Sequence, residues 1–377
     1  MERKRQRQKL HEHSGSSKRT DKLLFFLTLG LTVLGLVAIA DASAPLALSS
    51  FGNSFYFVKQ QAISAVIGFI GLIILSNIHY SVWKKLAPVI FAVSVVSLIV
   101  VLLPGVGSKL LGARRWIVIG GFNFQPSEFV KISLSLFFAY LYARKSPYWW
   151  YLLTLGILIG LIMLQPDLGT TIVVTTIGIT QLFLAGIPLL YMTAILAGGG
   201  LLGTLLIFIS AYRRERLFTF VNSIFDPIGK TSDQASTAAY HIRQILIAVG
   251  SGGMFGVGLG QSRQKYLFLP ETATDSIFAI IAEEIGFVGS FVLIVIYAYF
   301  ILRIIKIANK APDEFCTVFV TGIAAWVAAQ MFFNIGSNVA LVPLTGIPLP
   351  LISYGGTSLI AMLSALGIVL NISKYSK

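Results

Sequence analysis

The chain has 377 residues, of which 56% are hydrophobic and only 12% charged. A mean hydropathy of +0.82 leaves too little polar surface to cover a water-soluble globule of this length, so the chain belongs in a bilayer. The formal charge of +14 would suggest nucleic acid in a soluble protein, but here the basic residues cluster between long apolar runs, which marks membrane topology and anionic-lipid contact instead.

The chain opens with a basic tail, residues 1–22, followed by an apolar run from Leu23 to Ala40. Small residues at Ala40, Ala42 and Ala44 imitate a signal-peptide cleavage site, but the run is longer than such a segment needs and reads as a retained first span. Further runs at about 58–77, 86–103, 128–143, 148–164, 169–186, 188–210, 277–303, 315–333 and 351–371 bring the expectation to ten transmembrane helices, an all-α polytopic bundle over 23–377. The stretch 169–210 carries no charge and is divided at Gly186 and Pro188.

Cytoplasmic connections are enriched in Lys and Arg. Placing the N-terminus inside puts Arg3, Lys4, Arg5, Lys84, Lys85, Arg144, Lys145, Arg303, Lys306, Lys310 and Lys374 in the cytoplasm, and both termini with them. The large connection 211–276 then lies outside, as do nearly all the unusual polar, Gly and Pro clusters. The active face is expected to be the outer one.

In chain order, the first such cluster is GARRWI at 112–117 with FQPSEFVK at 124–131. Glu128 and Lys131 share a helix face and can pair as they enter the membrane, where an unpaired charge costs about 2.5–3.5 kcal/mol. Two readings stay open: an ion pair that fixes packing, or a basic pocket of Arg114, Arg115 and Lys131 for a phosphate-bearing head group, with Gln125 beside it. Trp116 reads as an interface anchor. In QPDLGTT at 165–171, Asp167 is placed to cap the next helix.

Within the long connection, His241, Arg243 and Gln244 punctuate an apolar segment before the glycine run 250–260. No strand signal precedes those glycines, so they fit re-entrant backbone close to the bundle, with amides that can cradle a phosphate, rather than a nucleotide loop. LPETATDSIFAIIAEEIG at 269–286 places Asp275 at the mouth of the eighth helix, near Glu271, and Glu283 and Glu284 about two turns deeper. Carboxylates there mark function by default, with helix capping and inter-helix bonding as the plainer alternatives. The last connection, 334–358, is rich in Pro and Gly yet apolar, as befits backbone that lines a cavity, and contains Ser353. Cys316 and the histidines His11, His13, His79 and His241 give no disulfide framework and no metal-ligand spacing.

The order and spacing of GARRWI, FQPSEFVK, QPDLGTT, the glycine run, LPETATDSIFAIIAEEIG and VPLTGIPLPLISYGGTS at 342–358 resemble the SEDS family (shape, elongation, division and sporulation), from the first span to the last. The Arg-Arg-Trp form and the segment after Asp275 are more similar to its division branch, FtsW, than to its elongation branch, RodA. The resemblance implies a peptidoglycan glycosyltransferase that polymerises lipid II at the cell membrane beside a class B penicillin-binding protein, at the septum. It puts the catalytic aspartate at Asp275 and the family's charged pair at Glu128 and Lys131. Beside these, our own reading of the residues takes Arg114, Arg115, Gln125, Arg243 and Ser353, with Glu128 and Lys131, as substrate-binding candidates, and Asp167, Glu271, Glu283 and Glu284 as supporting ones. Ala273 departs from the histidine found in many members, and Ser337-Asn338 from the usual Met-Val. A divalent cation, magnesium or manganese, is compatible with a pyrophosphate leaving group, although no cage for it is legible. The rivals are a lipid II flippase, an elongation-type polymerase, and a scaffold acting through its basic tail.

Overall fold

A computed structural model describes residues 20–110, 113–120, 122–188, 190–193, 197–200, 208, 214, 218, 221, 237–266 and 268–376. In chain order these form α1 (Lys22–Phe51), α2 (Tyr56–Asn77), α3 (Tyr80–Leu102), strands β1 (Gly107–Leu110), β2 (Ala113–Ile119) and β3 (Phe122–Phe124), then α4 (Pro126–Ala143), α5 (Tyr148–Leu164), α6 (Leu168–Leu184), α7 (Thr237–Ser251), α8 (Ile277–Asn309), α9 (Glu314–Asn338) and α10 (Gly356–Ser373). Helices α1, α2, α3, α8, α9 and α10 are each long and apolar enough to cross a bilayer. The 17 or 18 residues of α4, α5 and α6 reach about 26 Å.

Nine of the ten expected spans coincide with these helices. The seventh, 188–210, lies largely outside the described residues, as do the basic tail up to residue 19 and most of 201–236. The first span is longer than its apolar run suggested: Asp21 caps α1 by accepting from Leu24 N at 2.9 Å, and Gly52, with φ 66°, stops it. The last starts later, because residues 351–355 form bends rather than helix.

The core forms where small residues let helices close on one another, as membrane bundles require. Gly367 of α10 sits against the Leu72 backbone of α2, Gly68 against Leu363, and Gly35 of α1 against the backbone of Leu351 and Ile352. Helix α9 is buried among α4, α6 and α8, with Trp326 and Phe319 wholly enclosed.

Two features were not among the expected elements. The connection after α3 is an antiparallel three-stranded sheet in the order β1-β2-β3, pairing Ser108 with Trp116 and Ile117 with Phe124. Helix α8 is broken at Gly286 (φ 69°, ψ −169°), and the glycine-rich segment fills the break. Val257 N donates to Glu283 O (3.0 Å), Gly258 N to Glu284 O (3.1 Å), and Phe287 N to Gly253 O (2.9 Å). A Cβ on Gly256 would collide with the Glu284 carbonyl, so only glycine fits this approach.

Candidate active site

The sheet, the starts of α4, α6 and α8, and the connection before α10 meet at one end of the bundle around a cavity of about 320 Å³. Helix α4 begins with Pro126 behind Gln125, and Glu128 lies in its first turn, where the helix dipole favours an anion. Lys131 Nζ donates to Glu128 Oε1 at 2.7 Å, with both side chains buried, and lies 5.2 Å from the centre of the Trp326 ring. The pairing expected from their spacing is therefore present, and both residues line the cavity. Glu128 Oε2 meets no partner among the described residues.

The two arginines part company. The register slips between Ser108, which pairs with Trp116, and Lys109, which pairs with Arg114, so Arg115 is the extra residue of a bulge, and a bulge re-aims its side chain. Arg115 turns to the cavity, where its guanidinium donates to Gln165 O at 3.0 Å and to Pro166 O, while Arg114 reaches back to Leu102 O at 3.4 Å and is not a lining residue. The expected pocket of Arg114, Arg115 and Lys131 is corrected accordingly: one arginine at the rim, and a lysine already engaged by its glutamate. Trp116, expected to anchor the interface, lines the cavity instead. Asp167 caps α6 as anticipated, accepting from Thr170 N (3.0 Å) and Thr170 Oγ1 (2.8 Å), and also borders the cavity near Gln125 Nε2 (3.5 Å).

Asp275 lies one residue before the N-cap position of α8, which Ser276 occupies, and its carboxylate borders the cavity. A Cβ on Gly346 would stand 3.2 Å from Asp275 Oδ2, so the glycine, at φ 73°, makes room for the carboxylate. Three successive carbonyls hold the backbone in place. Ala273 O accepts from Tyr354 N (2.8 Å), Thr274 O from Ser353 Oγ (2.6 Å), and Asp275 O from both Asn334 Nδ2 (3.0 Å) and Asn338 Nδ2 (2.9 Å). His241 Nε2 is 2.8 Å from Ser276 Oγ, which ties α7 to the same turn.

Sequence reasoning missed Asn334 and Asn338 as supports of Asp275. Their signal was present: Gln330, Asn334 and Asn338 recur every four residues on a largely apolar helix and share a face, and buried amides need partners. It also missed Gln60, Asn123, Gln330 and Tyr354 in the lining. Burial raises the Tyr354 phenol above its usual range, and its hydroxyl lies 3.3 Å from Gln60 Oε1.

Other candidates lie apart. Ser353, expected to bind substrate, spends its hydroxyl on Thr274 O and Leu349 N. Arg243 is exposed on α7 and outside the lining, and Glu271 pairs with Thr274 Oγ1 at 2.7 Å. Glu283 accepts from Ser262 Oγ (2.5 Å) and Arg263 N (3.1 Å). Glu284 accepts from Ser262 N (3.2 Å) and Lys265 Nζ (3.1 Å), and Lys265 also reaches Asp41 of α1 at 2.7 Å. Burial pulls the Lys265 ammonium down, but its bonds to Asp41 and Glu284 outweigh this and raise it above the usual range. Of the glycine-run amides expected to cradle a phosphate, those of Val257 and Gly258 bond instead to the Glu283 and Glu284 carbonyls. Among the described residues no group of three His, Cys, Asp or Glu is gathered tightly enough to hold a metal ion.

A carboxylate, a guanidinium, a neutralised ion pair and several amides at a cavity mouth suit transfer chemistry on a polar, anionic group. The family model for the cell cycle proteins FtsW, RodA and SpoVE matches residues 21–377. Stage V sporulation protein E of Bacillus subtilis (strain 168) is 39% identical over 374 residues, covering 96% of this chain and all of that one. The probable peptidoglycan glycosyltransferase FtsW of Trichlorobacter lovleyi is 37% identical over 365 residues, covering 94% and 93%. Among solved structures, a chain of a peptidoglycan synthase complex that coordinates polymerization and crosslinking gives a TM-score of 0.75 at 28% identity, covering 94% of this chain and 98% of that one. The rod shape determining protein RodA of Thermus thermophilus gives 0.69 at 28% identity, covering 94% and 97%. Because the family match runs through every element that builds the cavity, this chain belongs to the FtsW/RodA/SpoVE family of cell cycle proteins.

Proposed function

We propose that the chain is a peptidoglycan glycosyltransferase that polymerises lipid II on the outer face of the cell membrane, in division. The carrying observation is the placement of Asp275, held by its backbone on three sides, at a cavity shared with Arg115. Relatives that bear the name probable peptidoglycan glycosyltransferase FtsW support the reaction class. The likeness to a chain from a peptidoglycan synthase complex supports a crosslinking partner, here a class B penicillin-binding protein.

In this reading the Asp275 carboxylate takes the proton from the acceptor sugar's 4-hydroxyl as its oxygen attacks the donor's anomeric carbon. The bond to the lipid diphosphate breaks on the opposite face, so the linkage inverts from α to β. Arg115, fixed by two backbone carbonyls, offers its remaining N–H groups to the departing diphosphate. Lys131 balances Glu128 below. A magnesium or manganese ion belongs to this scheme only as a companion of the substrate's diphosphate.

All the lining elements present the same end to the cavity, which favours an enzyme working at one face over a carrier open to both. Purified protein given fluorescent lipid II, with a candidate transpeptidase, should yield polymer on a gel, and Asp275→Asn should lower the rate by about 10²–10⁴-fold. Undiminished polymerisation by that variant would refute the proposal, and lipid II crossing vesicles without any polymer would favour the flippase.

A further inference from the structure

Gln330 stands out among the buried carboxamides of the bundle. Gln181 donates to Ser135 O and Val318 O, Gln165 to Leu98 O, Gln61 to Ser353 O, and Asn334 and Asn338 to Asp275 O. Gln330 is 1% exposed and lines the cavity, yet neither its Nε2 nor its Oε1 has a hydrogen-bond partner among the described residues. A buried amide left unbonded loses its hydration with nothing in return, which a fold does not sustain without a reason.

The position supplies one. Gln330 lies one helical turn below Asn334, so it sits about 6 Å beneath the carbonyl of Asp275 that Asn334 holds. Glu128 Oε2, also buried in this lining without a hydrogen-bond partner among the described residues, adds an acceptor, and Lys131 cancels its charge. The cavity floor therefore presents the two N–H donors of Gln330, the ammonium N–H groups that Lys131 does not give to Glu128, an amide oxygen and a carboxylate oxygen, with the charges of the pair cancelling. That set matches the hydroxyl and acetamido groups of a neutral sugar. With Glu128 cancelling the Lys131 charge, it offers a diphosphate no net counter-charge.

We infer that Gln330 hydrogen-bonds the N-acetylated hexose of the lipid-linked substrate, making the floor of the cavity its sugar subsite and leaving the diphosphate to Arg115 at the rim. The inference rests on the glycosyltransferase reading for the identity of the ligand, but its test does not require turnover.

The decisive variant is Gln330→Met, similar in size and unable to form these bonds. In an Asp275→Asn background, binding of lipid II and of the same lipid diphosphate without sugar is measured by native mass spectrometry of the protein in detergent. The substitution should weaken lipid II about tenfold and leave the sugar-free lipid unchanged. With Asp275 intact, KM for lipid II should rise by a similar factor. Because no protein partner is lost, thermal unfolding should stay the same or move upward, whereas a structural role would lower it. Equal weakening of both lipids, no weakening of either, or a drop in thermal stability overturns the inference. Gln330-dependent binding of lipid II by a chain that makes no polymer keeps the sugar subsite and removes the enzyme reading. If the chain neither binds nor polymerises lipid II, both fall.

Discussion

Lys131 carries an ammonium group that is 1% exposed, and its neutraliser is one turn away on the same helix. Removing one member of such a pair leaves an uncompensated buried charge, at a cost of about 3–5 kcal/mol, whereas removing both often costs little. Glu128→Gln and Lys131→Met should each lower the unfolding temperature in detergent, and the double variant should recover most of the loss. Lys265 tests the opposite surrounding, with carboxylates from two elements upon it. Its ammonium titrates higher folded than unfolded, so the stabilisation is fully present below the ordinary lysine range and fades only as pH climbs through the folded value. The stability difference between wild type and Lys265→Met should therefore be constant from neutral to about pH 9 and shrink above about pH 10.4. A difference already shrinking between pH 7 and 9 would contradict the pairing.

Residues 250–286 behave as a unit. Glycines at 252, 256 and 286 let the segment ahead of α8 hydrogen-bond into the break of that helix, and Glu283 and Glu284 on the N-terminal side of the break hold Ser262, Arg263 and Lys265. Gly256→Ala or Gly286→Ala forces a side chain into backbone at positive φ, so both should fail to yield monodisperse protein on size exclusion. Gly30→Ala and Gly156→Ala, with open space at the added carbon, should behave as wild type. The sequence announced re-entrant backbone here, because eleven residues rich in glycine cannot form a lipid-exposed loop. It did not announce the helix break, since a lone glycine inside an apolar run looks the same whether it packs or kinks. The sheet was more legible than our reading of it: the β-branched run Ile117, Val118, Ile119 followed by Gly120-Gly121 is a hairpin signal, hidden by the expectation that membrane connections are loops.

For the whole molecule, sidedness is the claim that a single labelling experiment checks. Cys316 is buried and should stay silent toward a membrane-impermeant maleimide. A cysteine introduced at exposed Glu271 should label from outside intact cells, and one at exposed Lys310 only after permeabilisation. The reverse pattern would put the cavity in the cytosol and end the proposal.

Nine of the spans, the bilayer setting, the Glu128–Lys131 pair and the Asp167 cap were available from the sequence alone, because each depends on length, hydropathy or neighbours within one helical turn. Which arginine faces the cavity, what holds Asp275, and where Ser353, Glu283 and Glu284 spend their hydrogen bonds were decided by the tertiary fold. Apart from the bond of Leu349 N to Ser353, those contacts join residues 19 to 79 positions apart, and no local periodicity encodes them.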